Sequence, residues 1–272
     1  MITIATDYLI DKGNVEPCLA AIAEAGFKSV HWVQHWNDDY VYTPSEIRNI
    51  SSWLKRLDLV MPNLHATHGV EKQWGNPDEY CRQAGVELVE NRIRMTAELG
   101  GSVIVLHPFY TKSPGGGLEK KATEMNRDAM RKSLEELRPC CEETGVRIAL
   151  ENLPDGLEVF ELVCGLLGEY PGDFLGLCYD SGHGNMAPGS FELLGKWKHR
   201  LICEHLHDNN GKGDQHLLPF AGTVDWRSLT GILAGSSFNH DVLMEVGRRT
   251  RPDLSEELFL SKALEAGRSL EK

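Results

Sequence analysis

The chain has 272 residues, with 40 acidic against 28 basic side chains, a net charge of −12 and a pI of about 5.4. An acidic surface repels phosphate backbones, which disfavours nucleic acid as a partner. Seven scattered cysteines contain no C-x-x-C pair, no apolar run could span a bilayer, and the opening MITIATDYLI reads as a strand rather than a signal peptide. A cytoplasmic protein with reduced thiols and no membrane contact is the expectation.

The first strand is predicted over Ile2–Thr6, followed by a helix capped by Asn14 and stopped by Gly26. A second strand, Lys28–Val33, leads to His35 and Trp36 in a polar loop. Thr43-Pro44 opens a helix to about Leu57, since Pro suits a first helical turn. The third strand, Leu57–Thr67, ends at His65 and His68; a long helix, Pro77–Leu99, stops at Gly100-Gly101. The fourth strand, Ser102–Phe109, ends at His107. Tyr110–Glu119 is glycine-rich but lacks the G-K-[ST] of a phosphate-binding loop, and reads as a loop or lid over a site.

A helix over Leu118–Thr144, with a kink expected at Pro139, precedes the fifth strand, Val146–Asn152, which ends at Glu151. After a helix at Leu157–Gly168, the sixth strand, Phe174–His183, ends at Asp180 and His183. A helix from Ser190 to His199 leads to the seventh strand, Leu201–Leu206, with Asp225 as the cap of the next helix. The eighth strand, Asp241–Val246, ends at Glu245, and a helix over Ser255–Leu270 closes the chain. Eight apolar strands alternating with helices predict an α/β fold, a single (β/α)₈ barrel over residues 1–272. An open doubly wound sheet is the alternative, weakened because no G-x-G-x-x-G follows the first strand.

Barrel active sites lie at the carboxyl ends of the strands. Alternation puts Glu151 on one face with Ala149 and Glu245 on one face with Leu243, both aimed inward. In Leu201–Trp226, four candidate ligands (His205, His207, Asp214 and His216) fall within twelve residues beside an apolar strand. Any one could be a buried structural histidine or a solvated charge. Acid or histidine at six of eight strand ends is hard to explain that way. Converging carboxylates would repel one another without a cation. The oxygen-rich set suits Mn²⁺, Co²⁺ or Mg²⁺, and added histidine favours Zn²⁺.

The motifs LHATH, VLHPF, ALEN, YDSGH, HLHDNNGKGDQH with GTVDW after it, and LMEV resemble, in order and strand-end placement, those of the xylose isomerase-like TIM-barrel superfamily. That superfamily includes sugar isomerases and epimerases and the endonuclease IV family. Its epimerase-type members imply one metal on Glu151, Asp180, His205 and Glu245. His205 is preferred to His207 because His205-Leu206-His207-Asp208 fits the family's H-x-x-[DE]. His183 then matches a substrate-contacting residue. Gly211 stands where some epimerases carry arginine, leaving Lys212 as the neighbouring cation. The endonuclease IV resemblance implies three zinc ions on His65, His107, Glu151, Asp180, His183, His205, Asp214, His216 and Glu245.

The expectation is a metal-dependent sugar or sugar-phosphate isomerase or epimerase, with Glu151 and Glu245 as catalytic carboxylates moving a proton through an enediolate. The alternative is a multinuclear zinc phosphodiesterase of endonuclease IV type. No organic cofactor is expected. The partner is a small sugar-like molecule, contacted by residues among Trp32, Trp36, His68, His207, Lys212 and Arg248, and exposed barrel helices leave room for a homo-oligomer.

Overall fold

The computed structural model describes residues 1–9, 15–115, 117–236, 238 and 241–271. Its strands are β1 (Ile2–Ala5), β2 (Ser29–Trp32), β3 (Val60–His65), β4 (Val103–Leu106), β5 (Arg147–Glu151), β6 (Leu175–Asp180), β7 (Leu201–His205) and β8 (Val242–Met244). Between them run α1 (Val15–Glu24), α2 (Pro44–Arg56), α3 (Glu79–Glu98), α4 (Lys120–Thr144), α5 (Leu157–Leu167), α6 (Ser181–Asn185), α7 (Ser190–Trp197) and α8 (Trp226–Ala234), with α9 (Glu256–Leu270) last. The strands form one sheet in the order β7-β6-β5-β4-β3-β2-β1-β8. β7 and β8 meet where Leu206 N donates to Leu243 O (2.8 Å) and Glu245 N donates to Leu206 O (3.2 Å), which makes the sheet a TIM barrel.

Parallel strands covered on both faces carry apolar residues in both phases of the alternation. Val103, Val105, Ala149, Cys178, Cys203 and Leu243 fill the barrel interior. Ile4, Val30, Leu64, Ile104, Ile148, Leu177 and Met244 face outward and pack in the layer shared with the helices. One period of two therefore positions the whole rim: His107 follows Val105, Glu151 follows Ala149, Asp180 follows Cys178, His205 follows Cys203 and Glu245 follows Leu243.

Several boundaries have local causes. Thr43 and Glu46 form a capping box at α2, and Asp225 and Ser255 cap α8 and α9 through Ser228 N (3.1 Å) and Leu258 N (3.2 Å). The predicted cap Asn14 lies outside the described residues. β3 starts at Val60 rather than Leu57 because Asp58 takes a left-handed φ of 54°. β6 stops at Asp180 rather than His183 because the Asp180 carboxylate accepts from His183 N (2.6 Å) and turns the chain into α6. α4 continues through Pro139 and ends at Gly145, at φ 72°. Among the described residues, no helix is long and apolar enough to cross a membrane.

Candidate metal centre

The inward strand ends converge at one rim. Glu151, Asp180, His205 and Glu245, from β5 to β8, are buried, and one ligand atom from each lies within 4.8 Å of the others. His205 Nδ1 stands 3.2 Å from Glu151 Oε1 and 3.0 Å from Glu245 Oε2. Two further groups flank this set. His65 Nε2 and His107 Nε2 are 3.1 Å apart and lie 3.6 and 3.2 Å from Glu151 Oε2. Asp214 Oδ2 is 3.4 Å from His183 Nε2 and 3.1 Å from His216 Nε2. Glu151 thus presents one oxygen to His205 and the other to the His65–His107 pair.

These separations suit ligands around a shared ion: bonds near 2.0–2.1 Å in a tetrahedron put neighbouring donor atoms about 3.3 Å apart. Glu151 Oε2, Asp180 Oδ2 and His205 Nε2 are buried without a hydrogen bond of normal geometry. Orphaned polar atoms this deep are costly, and a divalent cation would satisfy the two oxygens. The donors are nitrogen and oxygen only, so the residues fit a first-row or alkaline-earth ion.

The clustered histidines and carboxylates shift one another's titration. Burial alone would push Glu151 up, but His205, His107 and His183 outweigh it and hold its carboxyl well below the usual range. Burial likewise opposes charge on His205, yet Cys178, Glu245 and Glu151 raise it well above an ordinary imidazole. His183 is raised against burial by Asp180, Asp214 and Glu151. His216 is raised to about 10 against burial, chiefly by its hydrogen bond to Asp214 and by Glu245. Burial dominates at His107 and lowers it.

Local sequence sets these positions. Asn152, directly after Glu151, accepts from Asp180 N (2.8 Å) and donates to Asp180 O (3.0 Å), clamping the ends of β5 and β6. Its own carbonyl faces His183 Nδ1 at 2.8 Å. His207 is buried, stacked on His216 with centroids 4.1 Å apart, and its Nε2 is 3.0 Å from Asp180 Oδ1. Gly182 makes room for it: a Cβ there would lie 1.9 Å from His207 Cε1. Asp208 accepts from Asn209 N, Val224 N and Trp226 Nε1 at 2.8–3.0 Å, pinning the start of the loop that carries Asp214 and His216.

A cavity of about 470 Å³ opens above the cluster. His65, His107, Glu151, His183, Asp214, His216 and Glu245 form its floor, while Trp36, Gln34 and Asp38 from the loop after β2 form one wall. Trp36 lies over both histidines, 5.3 Å from His65 and 5.4 Å from His107 between centroids. Other expected contacts sit elsewhere. Trp32 faces outward into the helix layer and donates to Tyr42 Oη (2.8 Å). His68 stacks on Phe109 (4.5 Å, 8°), and burial lowers it to about 4. Lys212 is exposed on its loop, away from the cavity lining, and Arg248 turns back to Leu254 O (2.9 Å). Arg249 lines the cavity instead. The Tyr110–Glu119 segment pairs Lys112 with Leu118 and is tied to Asp155 by Tyr110 and Lys112; none of its described residues lines the cavity.

Asp7 and His31 carry no motif. Half-buried Asp7, just past β1, lines the cavity, and burial and then Glu245 raise its carboxyl above the usual range. The strand-end rule applied to Thr6-Asp7 would have found it. Burial lowers His31 to about 3, so it is neutral.

A protein-family model described as "Xylose isomerase-like TIM barrel" matches residues 19–267. The chain is 30% identical to the uncharacterized protein y4fM of Sinorhizobium fredii, over 93% of this chain and 87% of that protein. Among solved structures of the same fold are a D-tagatose 3-epimerase-like protein (21% identity, 100% and 99% coverage, TM-score 0.76) and the IolI protein with a zinc atom (17%, 99% and 98%, 0.77). The E. coli 3-keto-D-glucoside 4-epimerase is another (19%, 99% and 100%, 0.76). The chain belongs to the xylose isomerase-like TIM-barrel family.

Proposed function

We propose that the protein is a divalent-metal-dependent isomerase or epimerase acting on a sugar, keto-sugar or sugar phosphate. The carrying observation is that Glu151 and Glu245 belong to the four-ligand set and also line the cavity, so a bound molecule has a carboxylate from each within reach. Glu151, Asp180, His205 and Glu245 would hold the ion. When bound, such an ion supplies Lewis-acid polarisation of a substrate carbonyl. Glu151 or Glu245 takes the proton from the adjacent carbon, and the same or the opposite carboxylate returns it. The substrate face presented decides which acts first. His65, His107 and His183 offer hydrogen bonds to hydroxyl groups, and Trp36 offers an aromatic face to the sugar's C–H surface. The epimerase names among the similar folds support a sugar as substrate.

The test is solvent-deuterium incorporation into candidate ketoses and keto-sugars by metal-loaded protein, followed by NMR. Exchange at the carbon next to the carbonyl, lost in Glu151→Gln and Glu245→Gln, is the expected result. Exchange that persists in both variants would remove the mechanism.

One observation favours a second reading. Glu151 divides its oxygens between two groups, as a carboxylate shared by two ions would, and His207, Asp214 and His216, with one donor atom from each within 4.8 Å of the others, could hold a third. That arrangement suits a multinuclear phosphodiesterase. About three tightly bound ions per chain and cleavage of abasic DNA would establish it; about one ion and no cleavage would leave isomerisation.

A further inference from the structure

Three arginines follow β8, and two of them have protein partners. Arg248 donates to Leu254 O (2.9 Å), and Arg251 donates to the Asp253 carboxylate (2.9 and 2.7 Å). Arg249, between them, lines the cavity with its side chain exposed, so it stands toward the mouth, while Glu151 and Glu245 lie buried at the floor. Among the described residues, no acid forms an ion pair with Arg249 and no acceptor takes its side-chain N–H groups. Other acids of the lining are turned to histidines: Asp38 to His35 (2.6 Å), Asp214 to His183 and His216 (3.4 and 3.1 Å) and Glu245 to His205 (3.0 Å).

The turn that carries Arg249 is fixed. Gly247 N donates to His216 O (2.9 Å), Arg248 N donates to Tyr8 O (2.8 Å), and Thr250 N and Oγ1 both donate to Gly247 O (3.1 and 2.7 Å). A Cβ on Gly247 would stand 3.6 Å from Arg249 Cγ and 3.7 Å from both Arg249 Nε and His216 Cβ, so the arginine stem folds back beside His216. Among the described residues, no other lysine or arginine lines the cavity. A guanidinium presents a planar fork of donors that matches a carboxylate or a phosphate through two parallel hydrogen bonds, a match that a single hydroxyl does not offer. The loops after the last strands of a barrel are also where phosphate groups are frequently held.

We propose that the substrate carries a terminal oxyanion, a carboxylate or a phosphate, and that Arg249 binds it at the mouth while the reacting carbon lies at the floor. This rests on the isomerase or epimerase reading and narrows it to acidic sugars. Arg249 then selects the charged end of the molecule and takes no part in moving the proton. The rival role is to offset Asp7, the acid of the lining that lies in the same sector of the rim, where Arg248 N meets Tyr8 O. That role requires no charge on the substrate.

The test gives metal-loaded protein matched sets of ketoses, each set holding a neutral sugar, its terminal phosphate and its terminal carboxylate, as in D-fructose and its two charged forms. Solvent-deuterium exchange should appear in a charged form and be at least about tenfold slower in its neutral counterpart, and whether the phosphate or the carboxylate exchanges identifies the oxyanion. Calorimetric titration of the same protein with the exchanging sugar and its neutral counterpart then reads the preference as a ratio of Kd values. Arg249→Gln should cut that ratio by about 10- to 100-fold, the range for losing a hydrogen bond to a charged group. Arg249→Lys, which keeps the charge without the fork, should retain part of it. A neutral sugar that exchanges as fast as its charged forms, or a preference that Arg249→Gln leaves intact, would overturn the assignment. Should Arg249→Gln not fold, Arg249→Lys decides: a reduced preference supports the assignment and an unchanged one overturns it. Exchange in no set would instead remove the isomerase reading, and this assignment with it.

Discussion

The rim from β5 to β8 and the rim from β1 to β2 are built on different principles. The first places Glu151, Asp180, His205 and Glu245 directly on strand ends, buried, with donor atoms at ligand spacing. The second supplies Trp36, Gln34 and Asp38 from a loop, half-buried, with side chains that face the cavity without forming a ligand set. Strand ends are rigid and suit an ion that tolerates little error in donor position. A loop suits a wall that decides which molecule fits. On the proposed function, the difference would separate holding the reactive centre from choosing the substrate.

Variants and pH changes can break or sharpen that contrast. The largest effect is expected on the first rim. Glu151→Gln and Glu245→Gln should each lower kcat by about 10²- to 10⁴-fold, the range for losing a positioned acid or base, as read by steady-state assay on the substrate found by deuterium exchange. Next is pH. His205 is raised well above an ordinary imidazole, so in the metal-free chain this ligand binds a proton that a metal must displace. Metal affinity should therefore rise with pH from about 6.5 upward, by about tenfold per pH unit for each displaced proton, in titrations at fixed ionic strength. A flat profile would mean that His205 takes no part in binding.

On the second rim, Trp36→Ala should raise KM about tenfold, of the order of one aromatic contact, with metal content unchanged. A loss of metal instead would erase the proposed division between the rims. The smallest effect is expected at Lys212: its removal should leave KM unchanged within error and stability within about 0.5 kcal/mol in thermal unfolding.

The first rim was legible because a strand has a fixed period of two. Once Ala149 and Leu243 are inward, Glu151 and Glu245 must be inward as well, whatever the surrounding loops do. The same rule disposes of Trp32: beside inward His31 it has to point outward, and it does. Local chemistry overrode the pattern at Asp180, where the side chain caps α6 and ends the strand three residues early. The second rim was only partly legible. Trp36 stood out as a large aromatic after a strand, but the path of its loop depends on contacts such as Arg92 reaching Tyr40 O (3.0 Å), which no spacing encodes. Arg249 rather than Arg248 lines the cavity because Arg248 is anchored by Leu254, a tertiary contact that a run of arginines does not reveal.

Metal analysis of chelator-stripped and reloaded protein, wild type beside Asp180→Asn, tests the central claim most directly. The four strand-end residues should retain at least one divalent ion per chain through gel filtration, and the variant should lose that ion while keeping its fold by circular dichroism. A wild-type chain that retains no ion, or an Asp180→Asn chain that retains as much as wild type, would contradict a metal centre at this rim.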